Sequence, residues 1–359
     1  KSGRVIVNPD DDTREKYAER VKGFVDRGRK LADAASKAER ATKDGQRVTL
    51  YANIEFDEEV EYSLNMGAEG VGLFRTEFIY AKYGAHPTEE QHYETYARAH
   101  KLLGGKLLTL RTMDFGAAKF AAEVGLERED NPFLGCRSIR LSLREPKLFT
   151  TQVRAILRAG KLGPTRMMLP MISSIEEFRS AVALIEGVKA DLAREGIDFS
   201  RDVPVGMMVE VPSAAIAIDS FVKDAAFFSI GTNDLVQYTL AVDRNNQHVA
   251  NLFRHTHPSV LRLIRGVIAA ANQHKLPVSV CGEMASEGRF AILLLGFGLR
   301  DFSVGPQSLP ELRTILSRVS AAEAESLAAE VMAMAQSDEI DRLLEATAER
   351  LLPREEFGD

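Results

Sequence analysis

What most limits the folds open to this chain is an alternation of two textures. Eight short apolar runs stand between residues 47 and 306: RVTLYANI (47–54), GVGLFRTE (70–77), LLTLRTMD (107–114), RMMLPMI (166–172), PVGMMVEV (204–211), AAFFSIG (225–231), PVSVCGEM (277–284) and DFSVGP (301–306). Around them lie stretches with apolar residues at helical spacing, such as SIEEFRSAVALIEGVKADL after the fourth run and SVLRLIRGVIAAANQ before the seventh. Strands that read as continuous apolar runs are buried on both faces, as in a parallel sheet, and parallel neighbours need crossover helices. Eight such units predict an α/β fold, a closed (βα)8 TIM barrel. The alternative, an open doubly wound sheet, lacks its usual glycine fingerprint, because GAEGVG (67–72) precedes a strand and reads as a turn into it.

Three segments fall outside the repeating unit. RVIVNP (4–9) reads as a short strand, and a charged helix is expected from Thr13 to Lys43, ended by the Asp44–Gly45 pair. Asp12 and Glu15 have capping-box spacing there, and Tyr17, Val21, Phe24, Val25 and Leu31 form a narrow apolar stripe. Residues 115–145 are too many for a plain connection and predict an insertion over one barrel end. Beyond residue 319, AAEAESLAAEVMAMAQ and EIDRLLEATAERLL predict two helices that cover the barrel from outside.

Composition removes several classes of function. Lys and Arg total 46 against 52 acids, a net charge of −6, which opposes nucleic acid or an anionic membrane as the main partner. No apolar run is long enough to span a bilayer, and the first residues are too polar for a signal sequence. Two cysteines cannot make a disulfide framework, which fits a reducing cytoplasm.

In a barrel of this kind functional side chains sit at the carboxyl ends of the strands. Five predicted strands deliver polar groups there: Arg75 with Glu77, Arg111 with Asp114, Glu210, Asn233 with Asp234, and Cys281 with Glu283. Arg75 and Arg111, with Arg137 and Arg244 near in sequence, supply planar donor forks suited to carboxylate and phosphate. Glu210 and Asp234 are hard oxygen ligands from adjacent strands and suit magnesium. There is no His/Cys cluster at zinc spacing, and Cys281 can serve as a thiol acid or as a nucleophile. The residues alone indicate a metal-assisted enzyme for a small phosphorylated acid.

The stretches GAEGVGLFRTEF (67–78), LRTMDFG (110–116), NPFLGCRSIRLSL (131–143), MMVEVPSAA (207–215), FFSIGTNDLVQYTLAVDRNN (227–246) and VCGEMAS (280–286) carry a resemblance. From about residue 47 to 319 the sequence resembles the phosphoenolpyruvate-binding barrel of enzyme I, the phosphoenolpyruvate-protein phosphotransferase of the bacterial sugar phosphotransferase system. The resemblance implies transfer of a phosphoryl group from phosphoenolpyruvate to a histidine, with release of pyruvate, and then to a histidine-containing carrier protein. It implies that Arg75, Arg111 and Arg244 bind phosphate and carboxylate with help from Asn233, that Glu210 and Asp234 hold magnesium, with Asp234 also near substrate, and that Cys281 protonates the methylene carbon. Lys119 and Arg137 match positions near the phosphate. It also implies a cytoplasmic homodimer.

The chain departs from the family's pattern at GAAKF (116–120), where a GGDK-like loop is usual, at Cys136, where a large aromatic is common, and just before HPSV (257–260). Cys136 is therefore expected to be a packing substitution, and His255 and His257 to be structural. No histidine has the TSH-type setting of the phosphorylated one. Residues 1–46 are accordingly expected to be the tail of a phosphohistidine domain plus a linker helix, and 47–359 the barrel with its C-terminal helices. The rivals are the related barrel of pyruvate phosphate dikinase or phosphoenolpyruvate synthase, and a module that senses phosphoenolpyruvate without turnover. AVDRNN (241–246) speaks against the first, and a retained proton donor against the second.

Overall fold

The computed structural model describes residues 6–115 and 129–353. Eight strands, β1 (Thr49–Ile54), β2 (Gly70–Arg75), β3 (Leu107–Arg111), β4 (Thr165–Leu169), β5 (Val205–Val209), β6 (Phe228–Ile230), β7 (Val278–Val280) and β8 (Asp301–Val304), close into one barrel in sequence order. Every neighbouring pair is parallel, and β8 pairs with β1 through Thr49 opposite Asp301 and Ala52 opposite Val304. Each of the eight apolar runs thus holds one strand.

Side chains alternate across the barrel wall, as strand geometry requires. Leu50, Ala52 and Ile54 of β1, Leu108 and Leu110 of β3, and Met207 and Val209 of β5 join the large core between sheet and helices. A second, smaller cluster fills the interior, made of Leu73, Met168, Met208, Phe227 and Cys281. Inside the barrel Asn53 donates from Nδ2 to the Cys281 carbonyl at 2.9 Å and accepts from the Ser303 hydroxyl at 2.6 Å. The position of Cys281 is thereby fixed from β1, two strands away around the wall.

One buried amide organises the rim above β2 and β3. Gln152, on the helix Pro146–Ala159, is fully buried. Its Nε2 donates to the Thr76 hydroxyl at 2.9 Å and to the Tyr96 hydroxyl at 3.1 Å, and its Oε1 accepts from the Met113 backbone N–H at 3.0 Å. Thr76 in turn donates to the Arg111 carbonyl at 2.9 Å. The turns that carry Arg75, Glu77, Arg111 and Asp114 are therefore tied to one side chain.

The structure corrects the N-terminal expectations. Of RVIVNP, residues 4 and 5 lie outside the described residues, and Ile6–Pro9 is not a strand. The first helix runs Asp11–Lys37, and its cap is Asp10, which accepts from the Thr13 N–H at 2.8 Å, instead of Asp12. That choice places Asp11 and Asp12 in the first turn, where acids complement the exposed N–H groups. The helix stops before Lys43 because the chain turns early: Ala41 bridges Arg47 in antiparallel fashion around Gly45, whose φ is +80°. Of the apolar stripe, Leu31 is buried while Tyr17, Val21 and Val25 are exposed. At the other end, helices Ala321–Ala333 and Ser337–Leu351 pack on Gly288–Gly296 as an outer cover. Among the described residues no helix is long and apolar enough to cross a membrane.

Gln152→Met keeps the volume of the side chain but leaves the Met113 N–H without its partner. The expected loss is about 2–3 kcal/mol of unfolding free energy, from buried polar groups left unpaired. Urea unfolding measures it, and an unchanged midpoint and slope contradict the assigned role.

Candidate functional site

The carboxyl rim encloses a cavity of about 820 Å³. Arg75, Arg111, Arg137, Glu210, Asn233, Asp234, Arg244 and Cys281 all line it, so eight expected site residues from six strand ends and loops meet in one place. Lys119 and the GAAKF loop lie outside the described residues. Cys136 is half-buried and does not line the cavity, and its N–H donates to Glu129. His257 caps the helix Pro258–Gln273, and His255 packs between Phe253 and Phe290 with ring centroids at 5.3 and 5.9 Å. Neither histidine lines the cavity.

A buried charge chain forms the deep wall. Arg111 reaches Asp114 Oδ2 at 2.7 Å and Glu77 Oε1 at 3.1 Å. Arg137 reaches Asp114 Oδ1 at 2.9 Å, Asp234 Oδ2 at 3.7 Å and the Tyr238 hydroxyl at 3.2 Å. The Tyr238 hydroxyl donates to the Phe133 carbonyl at 2.5 Å, which anchors the loop bearing Arg137 over the helix Thr232–Leu240. Ser138, at φ +53°, aims its hydroxyl at Asp114. Burial opposes the charge of Asp114, but Arg111 and Arg137 outweigh it and hold this carboxyl well below the usual range. Nearer solvent, Arg75 pairs with Glu55 at 2.8 Å, and Arg244 lies 3.9 Å from Asp234 Oδ1.

Two carboxylates are in the opposite electrostatic state. Burial and the neighbouring Asp114 and Asp234 charges push Glu210 up to about 8, with Arg111 and the Met171 N–H pulling back. Burial likewise raises Asp234, against the pull of Arg137. Met171 sits at φ +56°, a region uncommon for a non-glycine residue, and so turns its N–H onto Glu210 Oε1 at 2.7 Å. Gly231 makes room for the other oxygen, since a Cβ there would lie 2.8 Å from Glu210 Oε2.

These groups fit a cation with hard ligands. Carboxylate oxygens of Asp114, Glu210 and Asp234 lie within 4.8 Å of one another. The buried Asp234 Oδ1 has no hydrogen-bond partner. Among the described lining residues six carboxylates face four guanidiniums, a deficit that a divalent ion matches. Asp114 holds its arginines at 2.7 and 2.9 Å, whereas Asp234 meets Arg137 and Arg244 only at 3.7 and 3.9 Å, so Glu210 and Asp234 are the less committed carboxylates.

The floor is different in kind. Leu73, Met208 and Cys281 present an apolar surface beneath the charged wall. Cys281 is 3% exposed, with Sγ 3.6 Å from the Ile230 carbonyl. Burial raises its pKa, partly offset by the Ser229 hydroxyl, so the group is a thiol at neutral pH. Asn233 accepts from the Glu283 N–H at 3.2 Å and locks the β6 turn to the β7 turn.

The sequence places Asp114 and Glu77 on the functional rim but gives them no role, which the structure supplies as partners of Arg111. Their position two or three residues after an arginine was the available signal. Tyr238 and Met171 had none, because their parts depend on a hydroxyl and an N–H brought in from other loops.

Residues 29–321 match the model of the PEP-utilising enzyme family, PEP-binding domain. Over 344 residues the chain is 40% identical to the phosphoenolpyruvate-protein phosphotransferase of Staphylococcus carnosus, covering 96% of this chain and 60% of that protein. The protein of the same name from Bacillus subtilis is 40% identical over 346 residues, with the same two shares. That from Haemophilus influenzae is 42% identical over 304 residues, 85% of this chain and 53% of its own. The chain thus spans about 60% of the length of the first of these relatives. With its barrel closed and the charged rim inside the matched segment, the chain belongs to the PEP-utilising enzyme family and carries that family's PEP-binding domain.

Proposed function

We propose that this barrel is the phosphoenolpyruvate and magnesium domain of a phosphoenolpyruvate-protein phosphotransferase. The observation that carries the proposal is the division of the cavity into a charged wall and an apolar floor with a buried thiol. Phosphoenolpyruvate has the matching halves, a phosphate and a carboxylate on one side and a methylene carbon on the other. Relatives at about 40% identity bear the phosphotransferase name, which favours this reading over a dikinase or synthase.

In the proposed reaction the phosphorus–oxygen bond of phosphoenolpyruvate breaks as phosphorus bonds to a histidine nitrogen. The enolate left behind takes a proton on its methylene carbon and becomes pyruvate. Arg111 and Arg137, held by Asp114, meet the phosphoryl oxygens with little reorganisation, which is the main protein contribution to such a transfer. Arg75 and Arg244, more exposed, clamp the substrate at the mouth. Glu210 and Asp234 would hold magnesium, which supplies charge neutralisation to the transferring group. Cys281 gives the proton, and the apolar floor keeps it protonated until the enolate forms.

No histidine lines the cavity among the described residues. We assign the acceptor to a part of the longer protein beyond this barrel, with residues 1–46 as the connection, and a histidine-containing carrier as the next acceptor. A cytoplasmic setting and a homodimer belong to the same reading and rest on the resemblance alone.

Three outcomes test it. Phosphoenolpyruvate with magnesium binds the chain in titration calorimetry, and Glu210→Gln or Asp234→Asn weakens metal-dependent binding about tenfold or more, since each removes one hard ligand. Equal binding with and without metal in both variants refutes the metal assignment. In the full-length protein Cys281→Ala leaves phosphoenolpyruvate affinity unchanged and slows pyruvate formation by about a hundredfold, while Cys136→Ala is silent. Normal pyruvate production removes Cys281 from the mechanism. With labelled phosphoenolpyruvate this chain alone gains no acid-labile label, and stoichiometric phosphohistidine on it would place the acceptor here.

A further inference from the structure

The loop between the helices Thr232–Leu240 and Pro258–Gln273 carries Arg244 and Phe253 into the cavity, and the turn after β7 carries Cys281. Between Phe253 and Thr256 the side chains of this loop alternate in direction. Phe253 and His255 stack inward, with His255 against Phe290 on the helix Gly288–Gly296 that follows the Cys281 turn. Arg254 and Thr256 point the other way and meet one carboxylate. Asp341, on the C-terminal helix Ser337–Leu351, accepts from Arg254 at 2.6 Å and from the Thr256 hydroxyl at 3.1 Å through Oδ2. Its Oδ1 accepts from Arg289 at 3.0 Å, and the Arg289 guanidinium lies 4.5 Å above the Phe290 ring. Asp338 and Glu345, on either side, add bonds of 2.6 Å to Arg254 and 3.0 Å to Arg289.

We propose that Asp341 is a positioning residue for the substrate cavity: from the outermost helix it pins the Arg244 loop to the helix that follows Cys281. It touches no lining atom itself, and it lies beyond the segment matched by the family model, on an element that the eight-stranded barrel does not need for closure. Its Oδ2 serves the loop and its Oδ1 the helix, so this carboxylate bonds directly to both, while Asp338 and Glu345 each reach only one of them. Without it the Arg244 loop must be ordered by the substrate, and that ordering weakens binding.

This inference rests on the proposed phosphoenolpyruvate site, and its test separates the two. Titration calorimetry with phosphoenolpyruvate and magnesium is run on the whole chain as wild type, Asp341→Ala, Arg254→Ala, the double variant, and Val331→Ala. Val331 is a buried residue of the same outer cover that makes no bond to the loop. Absence of wild-type binding overturns the phosphoenolpyruvate reading. If the wild type binds, Asp341→Ala is expected to raise Kd about tenfold through loop ordering. The double variant should lose less than the sum of the two single losses, since the Arg254–Asp341 bond is counted in both, and hydrogen exchange should rise in residues 241–257. Val331→Ala, although less stable to urea, should bind and exchange in that loop as the wild type does. Wild-type affinity in Asp341→Ala overturns the proposal. So does a loss in Val331→Ala as large as that in Asp341→Ala, because binding would then follow stability and not the clamp.

Discussion

Asp114 is a buried carboxylate shared between two guanidiniums, and the site is arranged around that sharing. Arg111 comes from the end of β3, Arg137 from the far end of the long connection after it, and Asp114 holds both at 2.7 and 2.9 Å. Removing one partner from such a set would leave an unpaired charge in a place where burial penalises it heavily. The set is stable only as a whole. It is also aimed: Arg137 reaches past Asp114 toward Asp234, which links the β3 side of the rim to the β6 side.

The same burial that strengthens this chain of charges leaves Glu210 and Asp234 incompletely neutralised. Their environment raises both carboxyls while Asp114, a few ångströms away, is held low. Neighbouring acids pushed in opposite directions have different tasks. One is committed to two close arginines, and the other two are held less tightly. The positive φ at Met171 and Ser138 lies at the residues that contact these acids, which is where backbone strain has a functional return.

Around the charged wall, order is imposed from behind. Gln152 fixes the β2 and β3 turns, Asn53 fixes the Cys281 backbone from two strands away, and Asn233 joins the β6 and β7 turns. Each is a single amide that donates or accepts between elements distant in sequence. A pocket held in this way presents its donors before a ligand arrives, and such preorganisation is what a transfer reaction with little covalent work for the protein requires.

The barrel was legible because its signal is local. A strand buried on both faces needs a continuous apolar run, and eight runs with helices between them have few ways to close. Arg75, Arg111, Glu210, Asp234 and Cys281 were legible for a related reason: in parallel strands the carboxyl ends share one rim, so polar residues at those ends are brought together by topology alone. The capping residue of the first helix and its end at Lys37 were not, since Asp10 and Asp12 are chemically equal in sequence and the early turn depends on pairing between Ala41 and Arg47. Nor was the division of labour among the acids. Sequence determined which elements form and which charged residues meet. Only the tertiary structure decided that Asp114 pairs closely with arginines while Glu210 and Asp234 are held less tightly, because that outcome depends on distances and burial set by side chains from several loops at once.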